Sequence, residues 1–463
     1  MKLYNTLSRQ VEEVKPLQAP KVTVYTCGPT VYDFPHIGNW FTFIRYDLLV
    51  RTLKLTGFEP QWVMNITDVG HLVSDADDGE DKLEKGAQRE GKTAWDVAKV
   101  YSDYFTEGLK RLNFVPPTEL PKATDHIAEQ ITLVQELETQ GFTYVIDDGV
   151  YYDTSKFPKY ADFARLDLDE QQAGARVEVN AQKRNPTDFA LWKFSPTDHQ
   201  RDMEWDSPWG KGFPGWHLEC SAMSRKYLGD TIDVHSGGID HVPVHHTNEI
   251  AQSEAITGKP LANLWMHTNH ILINDEKIAK SAGNGITLED IEARGYSLEA
   301  FRLHVLESHY RSQSKFSWES LEAAQNRLKN WQALADLRWQ TREDGTENTD
   351  WSIPESYIKE KLGNDLNTPE AIITIDRHAD IVTYIPKNVV DQFVQFLEFV
   401  DGAFGLTLSR GHDITDEQKQ LIAERESARE RKDWPESDRL RDLLKEQGIG
   451  VRDTDHGAIW YRL

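Results

Sequence analysis

The chain of 463 residues contains two cysteines, Cys27 and Cys220, too few for a disulfide framework and therefore readable as free thiols of a reducing cytosol or as metal ligands. As thiolates they supply the soft donors that zinc favours. His245 and Glu249, spaced i, i+4 on an expected helix, project from one face and complete a donor set of two thiols, an imidazole and a carboxylate. Spacing alone leaves the choice of histidine open, because His235, His241 and His246 stand close by. Two buried thiols beside a His-rich helix would account for the same residues without a metal.

Two loops offer phosphate chemistry. Cys27-Gly28-Pro29-Thr30-Val31-Tyr32-Asp33-Phe34-Pro35-His36-Ile37-Gly38-Asn39 leads from a strand into a helix. Gly38 lets a nucleotide approach the backbone where the helix dipole favours phosphate, and His36 and Asn39 can donate to phosphate oxygens. Lys277-Ile278-Ala279-Lys280-Ser281-Ala282-Gly283-Asn284 sets two lysines three apart among small residues. Such a cationic loop can close over pyrophosphate as charge develops on it. Taken alone, each loop reads equally as an ordinary surface connection. A third stretch, Gly86-Ala87-Gln88-Arg89-Glu90-Gly91-Lys92-Thr93, fits the P-loop pattern, but that mechanism needs a buried strand feeding the loop. What precedes it is Asp77-Asp78-Gly79-Glu80-Asp81-Lys82, whose four carboxylates would repel a nucleotide, so the match is a coincidence.

The elements that must position these groups follow a strand–helix–strand rhythm. Lys21–Gly28 predicts a buried strand, Trp40–Thr56 a helix stopped by Gly57, and Gln61–Ile66 a second strand. That is a parallel α/β sheet, whose ligands sit at the carboxyl ends of its strands. Residues 75–92 read as a polar surface loop. Residues 125–205 break the rhythm with a helix ending at Gly141 and a hairpin around Asp148-Gly149, an insertion. The sheet pattern resumes with a helix over 215–228, a strand over 231–235, a helix over 244–257 and a strand over 264–273. Helical periodicity then dominates from 285 to about 405, and 411–463 reads as two charged helices followed by two short strands.

Composition narrows the function. Fourteen tryptophans and 39% hydrophobic residues can fill a sizeable core. No long apolar run predicts a membrane span, and the first residues lack the apolar stretch of a secretory signal, so a cytoplasmic protein is expected. With 52 Lys and Arg against 76 Asp and Glu the net charge is −24, so a polyanion could bind only through local basic surfaces. The tail offers Arg425, Arg429, Arg431, Lys432, Arg439, Arg441 and Arg452 for such contact, though a solvated helix face with ion pairs explains each one singly.

Together these segments resemble the cysteinyl-tRNA synthetase family of class I aminoacyl-tRNA synthetases. The loop ending His36-Ile37-Gly38-Asn39 resembles the first ATP signature of that class, and Lys277–Ser281 the second. More particular to the cysteine enzymes are Asp188-Phe189-Ala190-Leu191-Trp192-Lys193 and Pro214-Gly215-Trp216-His217-Leu218-Glu219-Cys220-Ser221-Ala222-Met223. Gly237-Gly238-Ile239-Asp240, His245-His246-Thr247-Asn248-Glu249-Ile250-Ala251-Gln252-Ser253 and Asp365-Leu366-Asn367-Thr368-Pro369-Glu370-Ala371 are similar too. The likeness is colinear from about residue 20 to the end.

The resemblance implies an α/β fold: a Rossmann-type catalytic domain with an insertion, then a helical bundle and a small C-terminal α+β module. Its parts would be a first catalytic half (1–124), the connective insertion (125–205), a second half bearing zinc ligands (206–273), the lysine loop with a linking segment (274–316), the bundle (317–405) and an anticodon-binding module (411–463). It implies one zinc per chain on Cys27, Cys220, His245 and Glu249, and Mg2+ accompanying ATP. Thr30, His36, Gly38, Asn39, Lys277, Lys280 and Ser281 would bind ATP, with His36, Asn39, Lys277 and Lys280 carrying catalysis. Thr30, Trp216 and Asp240 would line the amino-acid pocket. Substrates would be ATP, L-cysteine and tRNA-Cys, and a monomer is expected.

Two departures from the class pattern involve three positions. Asn39 replaces a histidine, keeping a donor but no cationic form, and Ile278 and Ala279 replace Met and Ser. The implied reaction is carboxylate attack on the α-phosphate followed by transfer to a ribose hydroxyl, achieved by positioning and charge stabilisation. Four protein ligands already complete a tetrahedron, so substrate sulfur must add as a fifth or displace one, Glu249 being the first choice. A metal–thiolate contact that serine cannot imitate makes an editing domain in the insertion unnecessary. Two other readings compete. A cysteine ligase acting on a small amine would have no use for the 411–463 module, and a non-catalytic zinc-stabilised relative would not need the loop lysines.

Overall fold

The computed structural model describes residues 1–69, 82–166, 180–198, 200–273, 276–277, 285–343, 350–455 and 457–463. An N-terminal antiparallel hairpin, β1 (Lys2–Asn5) and β2 (Gln10–Glu13), precedes β3 (Lys21–Thr26). Val22, Val24, Tyr25 and Thr26 of β3 are all fully buried, the pattern of a central parallel strand covered on both faces. Next comes α1 (Ile37–Leu55), most of whose residues are buried all round, so it is a core helix rather than an amphipathic surface one. It begins three residues before Trp40, the start expected from apolar spacing, because Asn39 Oδ1 accepts from the His36 N–H at 3.0 Å and fixes the first turn. Gly57, at φ +91°, lets the chain turn into β4 (Glu59–Met64).

The stretch expected as a surface loop over 75–92 contains a helix, α2 (Lys82–Glu90), which buries Leu83 and Ala87 and packs on α3 (Ala94–Arg111); residues 70–81 lie outside the described residues. Helix α4 (Ile127–Thr139) then leads into an antiparallel sheet in the order β5 (Thr143–Ile146), β6 (Gly149–Tyr152), β7 (Phe189–Phe194), β8 (Gly212–Pro214). Asp188 staples this insertion by accepting from Tyr144 Oη, Thr154 N and Thr154 Oγ1 at 2.7–2.8 Å.

Helix α5 (Trp216–Leu228), β9 (Ile232–Gly238), α6 (Thr247–Thr257) and β10 (Ala262–Thr268) complete a four-stranded parallel sheet in the order β10-β9-β3-β4. Connections leave β3 and β9 in opposite directions, which opens a crevice beyond their carboxyl ends. The strand expected over 264–273 is broken: Asn269 O is taken by Arg45 Nη1 and Asn269 N by Tyr310 O, so β11 (Ile271–Ile273) joins a separate small sheet between β12 (Glu276–Lys277) and β13 (Ser314–Phe316).

The remaining chain is helical: α7 (Leu288–Ala293), α8 (Leu298–Leu306), α9 (Trp318–Asp336), α10 (Ser352–Gly363), α11 (Thr368–Ile381) and α12 (Val390–Phe404). The Asp365–Ala371 motif has a structural cause. Asp365 and Leu366 take left-handed backbone, Asn367 caps α11 by accepting from Glu370 N, and Pro369 sits in the first turn, where its missing N–H is harmless. Asp365 also accepts from Tyr4 N, Tyr310 Oη and Arg311, tying this corner to the N-terminal hairpin. A buried cluster joins α1 to the helices: Asp47 pairs with Arg51 at 2.6 Å and with Arg302, whose guanidinium also donates to the Leu112 and Phe404 carbonyls. The chain ends in α13 (Asp416–Glu430), α14 (Trp434–Glu446) and the hairpin of β14 (Ile449–Thr454) and β15 (Gly457–Arg462), as its pattern predicts. No helix among the described residues is long and apolar enough to cross a membrane.

Candidate active site

A cavity of about 540 Å³ opens beyond the carboxyl ends of β3 and β9. At one end lies the start of α1, with Thr30, His36, Gly38 and Asn39 in its wall; at the other lie Cys27, Cys220, Trp216, Asp240 and His245. The structure thus brings to one space the strand–helix loop, the two cysteines and the proposed amino-acid residues, which are up to about 220 positions apart in sequence.

The floor is set by close backbone packing. A Cβ on Gly28 would lie 1.7 Å from Asn65 O, so only glycine fits. Gly28 N donates to Asn65 Oδ1 at 2.9 Å, Asn65 Nδ2 to Thr67 Oγ1 at 3.0 Å, and Thr67 Oγ1 to Glu219 Oε2 at 2.9 Å. Backbone bonds Val31 N to Thr67 O and Thr67 N to Pro29 O clamp Thr30 against the same segment. Asn39 spends its Oδ1 on the helix cap, leaving Nδ2 as its donor. Asn65 and Thr67 were missed in the sequence, although their place just past a parallel strand was the available signal.

The sulfur end is built from α5 and the turn before α6. Cys27, Cys220, His245 and Glu249 are buried, and one donor atom from each lies within 4.8 Å of the others. The expected i, i+4 helical relation of His245 and Glu249 is not quite what forms: Val242–His246 is a widened turn and regular helix starts at Thr247, yet His245 Nε2 still meets Glu249 Oε1 at 3.0 Å. A second set, Cys27, His235, His246 and Glu249, is equally close. Exposure to the cavity separates the two. His246 is engaged on both nitrogens, by Cys27 Sγ at 3.3 Å and His267 at 2.7 Å, while His235 Nε2 holds Glu249 Oε2 at 2.8 Å, and neither lines the cavity. Cys27, Cys220 and His245 do line it. His217 Nδ1 lies 2.9 Å from His245 Nδ1, the kind of partner that orients a ligating imidazole. His217, His235, His246 and His267 are supporting groups that only the folded chain reveals.

Electrostatics agree with a donor set. Cys220 is drawn down to about 7, first by the hydrogen bond from Cys27 against the cost of burial. Burial pushes the Cys27 thiol well up. Burial alone would lower His245, but the Glu249 carboxylate and Cys220 raise it to about 10. Glu249 is likewise opposed by burial, and His235 and His245 hold it well below the usual carboxylate range.

Of the residues expected to form the second phosphate loop, Lys277 ends β12, with its backbone paired to Leu272. Lys280 and Ser281 lie outside the described residues. The P-loop-like stretch is not a loop: Gly86 to Glu90 belong to α2, and Thr93 caps α3 by accepting from Asp96 N.

A parallel sheet with a cavity at its switch point, an antiparallel insertion and a helical C-terminal region defines the class I aminoacyl-tRNA synthetase architecture. Residues 13–326 match the family described as tRNA synthetases class I (C) catalytic domain, and 411–462 that described as cysteinyl-tRNA ligase anticodon binding domain. A solved methionyl-tRNA synthetase of Mycobacterium tuberculosis, in complex with methionyl-adenylate, shares the fold at a TM-score of 0.54 and 16% identity, over 84% of this chain and 88% of the other. The chain is 46% identical to cysteine–tRNA ligase 1 of Burkholderia lata (98% of this chain, 95% of that one) and 41% identical to cysteine–tRNA ligase of Treponema denticola (100% of each). It belongs to the cysteine–tRNA ligase family.

Proposed function

We propose that the chain activates L-cysteine with Mg·ATP and esterifies it to the terminal ribose of tRNA-Cys. The observation that carries this reading is one cavity joining a phosphate-type helix N-terminus to a buried set of two thiols, an imidazole and a carboxylate. In the first step the cysteine carboxylate oxygen attacks the α-phosphorus and pyrophosphate leaves; in the second the ribose hydroxyl takes the acyl group and AMP leaves. No protein nucleophile is required. Thr30, His36, Gly38 and Asn39 would hold the triphosphate from the α1 side. Lys277 and Lys280, with Ser281, would clamp the leaving pyrophosphate as its charge grows. Trp216 and Asp240 would bound the amino-acid pocket, with Asp240 facing the substrate ammonium.

Zinc fits the donor set: two sulfurs, one imidazole and one carboxylate, all buried and close enough for one ion per chain. When bound it supplies the Lewis acidity that keeps a substrate sulfur as thiolate. Cys27, Cys220, His245 and Glu249 would hold it, while His217 and His235 would fix the orientation of His245 and Glu249. A site built for one polar group discriminates by ~10⁴-fold or better, which removes the need for editing in the 125–205 insertion. The 411–463 module would read the anticodon, and the protein would act as a cytoplasmic monomer.

The test is aminoacylation of a tRNA-Cys transcript by the full chain. Cysteine esterification with AMP release is expected. Adenylate formation without tRNA charging, alongside transfer to a small amine, would replace this reading with the ligase one.

A further inference from the structure

The cavity follows one face of α1. Asn39, Thr42, Phe43 and Tyr46 line it, at i, i+3, i+4 and i+7. Asn39 sits at the phosphate end, and Tyr46 lies seven residues, roughly 10 Å, further along the helix axis. Side chains on a helix lean toward its N-terminus, so the Tyr46 phenol points back into the cavity, whose wall it shares with Cys27 and Cys220, and we place it in the wall around the substrate side chain. Its side chain is fully buried, and its hydroxyl has no hydrogen-bond partner. A buried hydroxyl left unpaired is costly, whereas the Thr67 hydroxyl in the same wall is paired. We infer that Tyr46 is a specificity residue whose hydroxyl donates a hydrogen bond to the sulfur of bound cysteine.

The inference rests on the cysteine-activating reading and assigns a new residue to it. Burial, then Cys27, Asp240 and Cys220, push the Tyr46 phenol well above its ordinary value, so it keeps its proton and remains a donor. A donor needs an acceptor. The substrate offers two: a carboxylate, which must reach ATP at the start of α1, and the sulfur, which must sit beside Cys27 and Cys220. The substrate ammonium is not an acceptor. A hydrogen bond to a thiolate is charge-assisted and has no equal in the neutral hydroxyl of serine, so Tyr46 would add to the discrimination between them.

The substitution is Tyr46→Phe, which removes one oxygen and no packing. Cysteine binding is measured by calorimetry, with 3-mercaptopropionate (the same thiol and carboxylate without the ammonium) as a second ligand, beside ATP–pyrophosphate exchange and thermal melting. The expected result is an affinity loss of about 10- to 100-fold for both thiols, the size of a hydrogen bond to a charged group. The KM for ATP should be unchanged and the unliganded melting temperature unchanged or higher. Unchanged cysteine affinity overturns the inference. So does a loss for cysteine that spares 3-mercaptopropionate, which would assign the hydroxyl to the ammonium. Failure of the wild-type protein to exchange with cysteine at all would instead sink the reading on which the inference stands.

Discussion

Gly28→Ala tests how the cavity floor is built. The new Cβ would stand 1.7 Å from Asn65 O and 2.8 Å from Asn65 C, and backbone cannot rotate away as a flexible side-chain tip can. To reach an ordinary contact of 3.4 Å the two segments must part by roughly 1.7 Å. That shift breaks the bond from Gly28 N to Asn65 Oδ1 and strains the relay through Thr67 to Glu219. Overpacking of this kind costs about 1–3 kcal/mol, too little to unfold a chain with so large a core. Catalysis is more sensitive, because misplacing a positioning group by ~1 Å can cost about 100-fold. We therefore expect kcat/KM for cysteine-dependent ATP–pyrophosphate exchange to fall by at least about 100-fold, with the far-ultraviolet circular dichroism spectrum preserved. Wild-type exchange by Gly28→Ala would refute the reasoning, since it would mean that the Thr30 loop does not depend on this close approach.

Other expectations follow from the same physics. Asp47→Ala strands the buried Arg302 and Arg51 guanidiniums, and chemical denaturation should show a loss of about 3–5 kcal/mol in the catalytic region. Lys92→Ala, in the P-loop-like stretch, should leave the KM for ATP unchanged, because Lys92 is exposed and pairs with Glu90 at 3.1 Å; a large rise would reinstate that stretch as a nucleotide site. His304 lies between Phe41 and Phe316, and burial, then Arg45, lower it from 6.5 to about 4. Its neutral form is favoured in the fold, so its contribution is complete above pH 6.5 and is lost as pH falls from 6.5 towards 4, by roughly 3 kcal/mol. His304→Phe should therefore flatten the acid limb of a melting temperature–pH profile, and an unchanged limb would contradict the assignment.

Much of the fold was legible because hydrophobic period and punctuation agreed: the Val22-Thr23-Val24-Tyr25 strand, the Gly57 stop, the Asp148-Gly149 hairpin and the two-helix, two-strand tail all formed. Helix α2 was hidden because it buries only Leu83 and Ala87 among charged residues, with Gly86 between them. The break at Asn269 was hidden because Arg45, distant in sequence, takes its carbonyl. At the site, residue types pointed to the sulfur–imidazole–carboxylate set, but not to the division of labour among histidines. Adjacent residues in the widened turn, His245 and His246, meet different partners, one facing the cavity and the other locked between Cys27 and His267. Nothing in the sequence marks Tyr46 out, because a buried aromatic on a helix ordinarily belongs to the core.

The most direct test of the central claim is ATP–pyrophosphate exchange by the full chain with cysteine and with serine, before and after zinc is removed by a chelator. Exchange with cysteine is expected to exceed that with serine by ~10⁴-fold or more, to be lost on chelation and to be restored by added zinc. Equal use of serine, or cysteine exchange indifferent to zinc removal, would contradict that claim.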